Sequence, residues 1–189
     1  MEDNSQQSGM QKRHRKLPKK NKKLLTNQKF FGIIKTQREK EIQNMKICFD
    51  MDGTIANLYG VEGWLENLIA EDVKPYAEAK VLLNMNSLAR VLNRLQAHGH
   101  KIVIISWLSK SGSEDYNARV TEVKKAWLKK HLRSVQFDEI NIVKYGTCKA
   151  NFAESPEDIL FDDEERNRTE WTGNAYGVEN ILEILKKIS

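Results

Sequence analysis

Three short apolar runs constrain this chain most, because each ends abruptly in polar oxygen-bearing side chains. They are "KICFD" (residues 46–50), "KIVIIS" (101–106) and "ILFDD" (159–163). Continuous apolar runs of this length suit strands buried on both faces, as parallel sheets require. Helical periodicity separates them. In "SLARVLNRLQAHG" the apolar residues Leu88, Val91, Leu92 and Leu95 share one face and Gly99 closes the helix. In "SEDYNARVTEVKKAWLKKHL" the corresponding face is Val120, Val123, Trp127 and Leu128. "VEGWLENLIA" reads as a short amphipathic helix that "VKPYAEA" breaks, "EINIVK" as a strand, "NAYGV" as an edge strand and "ENILEILKKI" as a terminal helix. The alternation predicts an α/β fold, a three-layer Rossmann-like arrangement with a mainly parallel sheet covered on both faces.

Parallel strands deliver their C-terminal ends to one edge of the sheet, where ligands of such folds collect. Asp50 and Asp52 close the first run, Ser106 the second, and Asp162 and Asp163 the third. A strand exit needs only one polar residue and a glycine; "DMDGT" supplies two like charges before Gly53 and Thr54. Carboxylates gathered in a small volume repel one another unless a cation sits among them. An oxygen-only ligand set suits Mg²⁺, a hard ion that commonly also binds phosphate. His98, His100 and His131 have no ligand spacing and read as solvated.

Charge divides the chain unevenly. Residues 1–45 hold 12 Lys/Arg against 4 Asp/Glu, whereas the whole chain has 31 against 26, so the body is mildly acidic. Residues 1–44 therefore read as a basic, disordered extension, and 45–189 as the folded domain. Met45 stands directly before the first strand, where the folded unit is expected to begin. The run at residues 12–23 is able to contact the phosphate backbone of a nucleic acid, but it lacks the aromatic residues that stack on bases. No apolar run reaches the roughly 20 residues of a membrane span. The polar N-terminus has no signal-like apolar region, and Cys48 and Cys148 are far apart without metal-ligand spacing. These features predict a cytoplasmic protein with no membrane partner.

The motifs resemble those of the haloacid dehalogenase (HAD) superfamily. "FDMDGTIA" is similar to its DxDGT motif, "IVIIS" to its second, and "ILFDD" to its acidic fourth motif, over residues 45–188. The resemblance implies a phosphatase that hydrolyses a phosphate monoester through an aspartyl-phosphate intermediate. Asp50 would be the nucleophile and Asp52 the general acid and base, with the Asp52 carbonyl also on the metal. Gly53 would turn the chain, Thr54 position Asp52 and the phosphate, and Ser106 hydrogen-bond the phosphoryl group. The third motif is a lysine, for which Lys144 and Lys149 both qualify. Lys149 is preferred because "YGTCKAN" places it on a loop beyond the strand. Asp50, Asp52, Asp162 and Asp163 would form the Mg²⁺ site, with the direct or water-mediated roles of the last two left open.

In this superfamily, insertions set specificity, and the spacing from Asp52 to Ser106 leaves about residues 57–83 for a small helical cap. Trp64, Leu65 and Tyr76 would face the leaving group or, equally, pack the cap as a mini-domain. "FDMDGTIANLYG", "KKAWLKKHL" and "ILFDDEERNRTEW" are similar to the 5'(3')-deoxyribonucleotidase-type branch, implying a small phosphorylated substrate such as a (deoxy)nucleoside monophosphate. Two alternatives stand beside it. One is a nucleic-acid-end or protein phosphatase docked by the basic arm; the other is a non-catalytic binding module on the same fold.

Overall fold

A computed structural model describes residues 44–189. The basic extension and its nucleic-acid contact, expected at residues 12–23, lie outside the described residues. Five strands, β1 (Lys46–Phe49), β4 (Lys101–Trp107), β5 (Glu139–Val143), β6 (Ile159–Phe161) and β7 (Asn174–Tyr176), form a sheet of order β5-β4-β1-β6-β7. Every neighbouring pair in it is parallel. The α/β, Rossmann-like class predicted by the sequence pattern is the architecture found.

Two-residue alternation splits the strands between two faces. Ile47, Phe49, Ile102, Ile104, Ile159 and Phe161 enter the larger core, with Leu88, Val91, Leu92 and Leu95 of α3 (Met85–Ala97). Trp127 and Leu128 of α4 (Glu114–His131) and Ile181 and Leu185 of α6 (Ile181–Ile188) join the same core. Cys48, Val103, Ile105 and Leu160 face the other way, beneath Trp171 and the 3₁₀ turn η2 (Lys149–Phe152). Cys48 is a buried core residue, and burial raises its thiol pKa. Helix ends are specified locally. Asn84 Oδ1 accepts from Ser87 N at the start of α3, and Ser113 Oγ accepts from Tyr116 N at the start of α4.

Several elements depart from the sequence reading. Pro75 does not break a helix but sits in the first turn of α2 (Lys74–Glu78), where its missing N–H costs nothing. That helix follows η1 (Leu58–Gly60) and α1 (Trp64–Ile69). A two-stranded antiparallel ribbon, β2 (Ala56–Asn57) with β3 (Lys80–Val81), closes the base of this insertion. The acidic run after β6 forms a further helix, α5 (Glu165–Glu170). His100 is buried rather than solvated, and burial lowers its pKa. Among the described residues no helix is long and apolar enough to cross a membrane.

Register sets the site. Phe49 pairs with Ile104 on one side and Phe161 on the other, and the Phe49 and Phe161 rings stack at 5.1 Å. Asp50 N then donates to Phe161 O at 2.9 Å, so Asp50 and Asp162 leave adjacent strands side by side. At the opposite edge buried Asp158 fixes the same register. Its carboxylate accepts from Lys46 N at 2.7 Å, Glu154 N at 2.7 Å and Ser155 N at 3.0 Å. Asp158→Ala would leave these amide donors without their partner. The expected cost is about 2–4 kcal/mol of stability, read as a lower urea midpoint at unchanged m-value.

Candidate active site

The turn after β1 is wound on one carbonyl. Met51 O accepts from Thr54 N, Ile55 N and Ala56 N, while the Met51 side chain is buried in the larger core. Gly53 has φ +79°, and a Cβ there would collide with the Asp163 carboxylate. Glycine is thus required twice at this position, for its backbone angle and for the approach of Asp163. Thr54 is fully buried, and its hydroxyl serves Asp163: Oγ1 accepts from Asp163 N at 3.1 Å and lies 3.3 Å from Asp163 Oδ1. Arg168 Nη1 clamps the neighbouring backbone by donating to Asp162 O at 2.7 Å and Asp163 O at 2.6 Å.

Two buried lysines divide the carboxylates. Lys149 begins η2, is 2% exposed, and donates to Asp162 Oδ2 at 2.6 Å with Asp50 Oδ1 at 2.9 Å. Lys144 is exposed and only its backbone oxygen is engaged, by Thr147. The structure therefore brings Lys149, and not Lys144, to the strand ends. Burial opposes the Lys149 charge, but Asp50 and Asp162 outweigh it and its pKa is raised. The second lysine, Lys124 of α4, is 0% exposed. Its ammonium donates to Asp52 Oδ2 at 2.5 Å, Ser106 Oγ at 2.8 Å and Trp107 O at 2.6 Å.

Lys124 was not singled out in the sequence, although its spacing marked it. Val120, Lys124, Trp127 and Leu128 fall on one helical face, so a lysine occupies a core position of an amphipathic helix. Asn167 was missed as well. Its Nδ2 donates to both Asp162 oxygens at 3.1 Å, and its Oδ1 is buried without a hydrogen-bond partner.

Oxygens of Asp50, Asp162 and Asp163 lie within 4.8 Å of one another. The Asp52 carboxylate stands apart from this trio, held by Lys124. Burial first, then the Asp50 charge, raises the Asp162 pKa; burial, Asp50 and Asp162 push Asp163 up to about 7. Burial also raises Asp52 against the opposing Lys124 charge. The donor set fits a hard divalent cation such as Mg²⁺: three clustered carboxylates, with the unpartnered Asn167 oxygen beside Asp162.

A cavity of about 460 Å³ opens over this floor. Asp50, Asp52, Lys149, Asp163 and Asn167 line its charged end, and Trp64, Leu65 and Tyr76 of the insertion line its wall. Ser106 and Thr54 are fully buried and are not among the lining residues; their hydroxyls meet Lys124 and Asp163.

No family model matches the chain, and no curated protein matches it. Among solved structures, D,D-heptose 1,7-bisphosphate phosphatase from Burkholderia thailandensis aligns with 76% of this chain and 97% of its own. The sequence identity is 11% and the TM-score 0.45.

The raised Asp163 pKa has two consequences of known sign. Between the carboxyl's unfolded value and about 7 the folded, ion-free protein binds more protons, so its stability falls as pH rises through that window. A cation needs the ionised carboxylates, so protons compete with it below about 7. Thermal melts in chelator and in Mg²⁺, at about pH 5.5 and about pH 8, are expected to show the larger Mg²⁺ stabilisation at the higher pH.

Proposed function

We propose that this chain is a HAD-type phosphatase that hydrolyses a phosphate monoester through an aspartyl-phosphate on Asp50. The observation carrying this reading is the division of labour between two aspartates two residues apart. Asp50 lies in the three-carboxylate cluster and pairs with Lys149, while Asp52 is held separately by Lys124. Both line the same open cavity.

In the first step an Asp50 oxygen attacks phosphorus, and the bond from phosphorus to the ester oxygen breaks. Asp52 gives its proton to that departing oxygen, leaving as an alcohol. Burial favours the protonated acid at Asp52. Lys124 occupies Oδ2, which leaves Oδ1 to carry the proton. In the second step the Asp52 carboxylate takes a proton from water as the water oxygen attacks phosphorus, releasing inorganic phosphate and restoring Asp50. Lys149 offsets negative charge at Asp50 throughout. Asp50, Asp162 and Asp163 would hold Mg²⁺, which supplies charge neutralisation at the phosphoryl oxygens. Ser106 and Thr54 act in this scheme by fixing Lys124 and Asp163.

The finer reading is a 5'-nucleotidase acting on (deoxy)nucleoside monophosphates. Its support is the aromatic lining above the charged floor, Tyr59, Trp64, Tyr76, Trp107 and Tyr145.

A phosphate-release screen over nucleotides, sugar phosphates and phosphorylated nucleic-acid ends, with Mg²⁺, tests the reading. Hydrolysis of at least one ester is expected, falling by about a thousandfold or more in Asp50→Asn with its circular dichroism unchanged. Folded, Mg²⁺-loaded protein that releases phosphate from none of them would favour the binding module instead.

A further inference from the structure

Resting on the phosphatase reading, we propose that Trp107 and Tyr145 form a stacking subsite that selects phosphate esters with a planar aromatic leaving group. Trp107 ends β4 and Tyr145 lies in the turn after β5, so both belong to the main domain rather than to the helical insertion.

The two rings continue the charged floor outward. Lys149, paired with Asp50, lies 5.1 Å from the centre of the Trp107 ring. The Tyr145 ring follows at 4.9 Å from Trp107, tilted by 54°. Both rings line the cavity. A group esterified to a phosphate at Asp50 would therefore meet an indole first and a phenol next.

The subsite is also pre-organised. Thr147 N and Thr147 Oγ1 both donate to Lys144 O, and Gly146 has φ +80°, so residues 144–147 form a tight turn with Tyr145 at its tip. The third position of such a turn needs a residue tolerant of positive φ. Trp107 Nε1 donates to Thr147 O at 2.9 Å, which locks the indole to that turn. Rings fixed before a ligand arrives lose little conformational entropy on stacking.

Tyr145 is 50% exposed, and the ammonium of exposed Lys110 lies 5.6 Å from its ring centre. Tyr59, Leu65 and Ile69 are likewise large, exposed and apolar, and they line the same cavity. Solvent-facing apolar side chains gathered at one mouth suit a leaving group with a flat apolar face rather than a polyol.

The test compares, in the full chain, an ester whose leaving group carries a planar aromatic ring with one whose leaving group carries none. For wild type, Tyr145→Ala, Tyr145→Phe and Tyr145→Trp, kcat/KM is measured for thymidine 5'-monophosphate and for glycerol phosphate with Mg²⁺. The aromatic-to-aliphatic ratio is expected to fall about tenfold in Tyr145→Ala and to return in the Phe and Trp variants. Turnover of both esters with the ratio unchanged in Tyr145→Ala would overturn the subsite and leave the hydrolytic reading standing. A second measurement does not need turnover: calorimetric binding of phenylphosphonate and methylphosphonate. If no ester is hydrolysed but Tyr145→Ala weakens only phenylphosphonate, the subsite stands and the hydrolytic reading fails. Equal effects on both phosphonates would overturn the subsite.

Discussion

Asp162 is completely buried, Asp50 nearly so, and the two leave neighbouring strands directly after the paired Phe49 and Phe161. Like charges so placed repel strongly in a low-dielectric interior, and burial penalises each of them further. Lys149 is what makes the arrangement tenable, because one ammonium lies within 3 Å of both carboxylates. A buried lysine is itself costly, so it has to be fixed in place by geometry. Its position is set by η2, whose apolar residues Ala150 and Phe152 pack on the face of the sheet opposite the larger core. The smaller apolar cluster thus anchors the segment that carries a buried charge. Its few apolar residues hold the lysine that lets the sheet end in acids.

The same logic operates a second time, two residues along. Asp52 is turned away from the carboxylate trio and toward Lys124, which approaches from α4 on the side of the larger core. Separation of the two aspartates therefore depends less on the loop than on which face of the sheet supplies each lysine. Gly53 enforces the division, since its backbone turns the chain and its missing side chain leaves room for Asp163. Three strand ends, one glycine and two lysines from opposite layers make a single electrostatic unit.

How far this was legible in the sequence follows from the range of each interaction. Buried parallel strands announce themselves by continuous apolar runs, and their polar last residues by the abrupt change of character, so the sheet and the edge carrying Asp50, Ser106, Asp162 and Asp163 were readable. Partners of those residues were not. Thr54 and Asp163 are 109 positions apart and Lys124 and Asp52 are 72 apart, and no local pattern encodes such pairings. The phosphate roles expected of Ser106 and Thr54 came from the motif resemblance, which carries no information on the long-range partners each hydroxyl has here, Lys124 and Asp163. Pro75 misled for a different reason. A proline signals an interruption only if a helix is already running, and here it begins a new one. The β2–β3 ribbon, with two residues per strand, is too short for any alternation to register.

Helix α4 joins the insertion to the chemistry. Ser113, its N-cap, donates through N and Oγ to the Glu71 carboxylate at 2.6 and 2.7 Å. Tyr116 Oη donates to Asp72 O, Arg119 Nη2 to Glu71 O and Trp127 Nε1 to Ala79 O. Glu71 adopts φ +55°, alone among the described residues other than glycine in having a positive φ, and these contacts over-determine its backbone. Lys124 lies on the same helix, 5.0 Å from the centre of the Tyr76 ring of α2, while its ammonium holds Asp52. The residues that position the wall of the cavity and the residue that orients Asp52 are therefore parts of one rigid rod. Tyr76 and Asp52 meet the same ammonium, so one side chain of α4 touches both the cavity wall and the strand-end carboxylate.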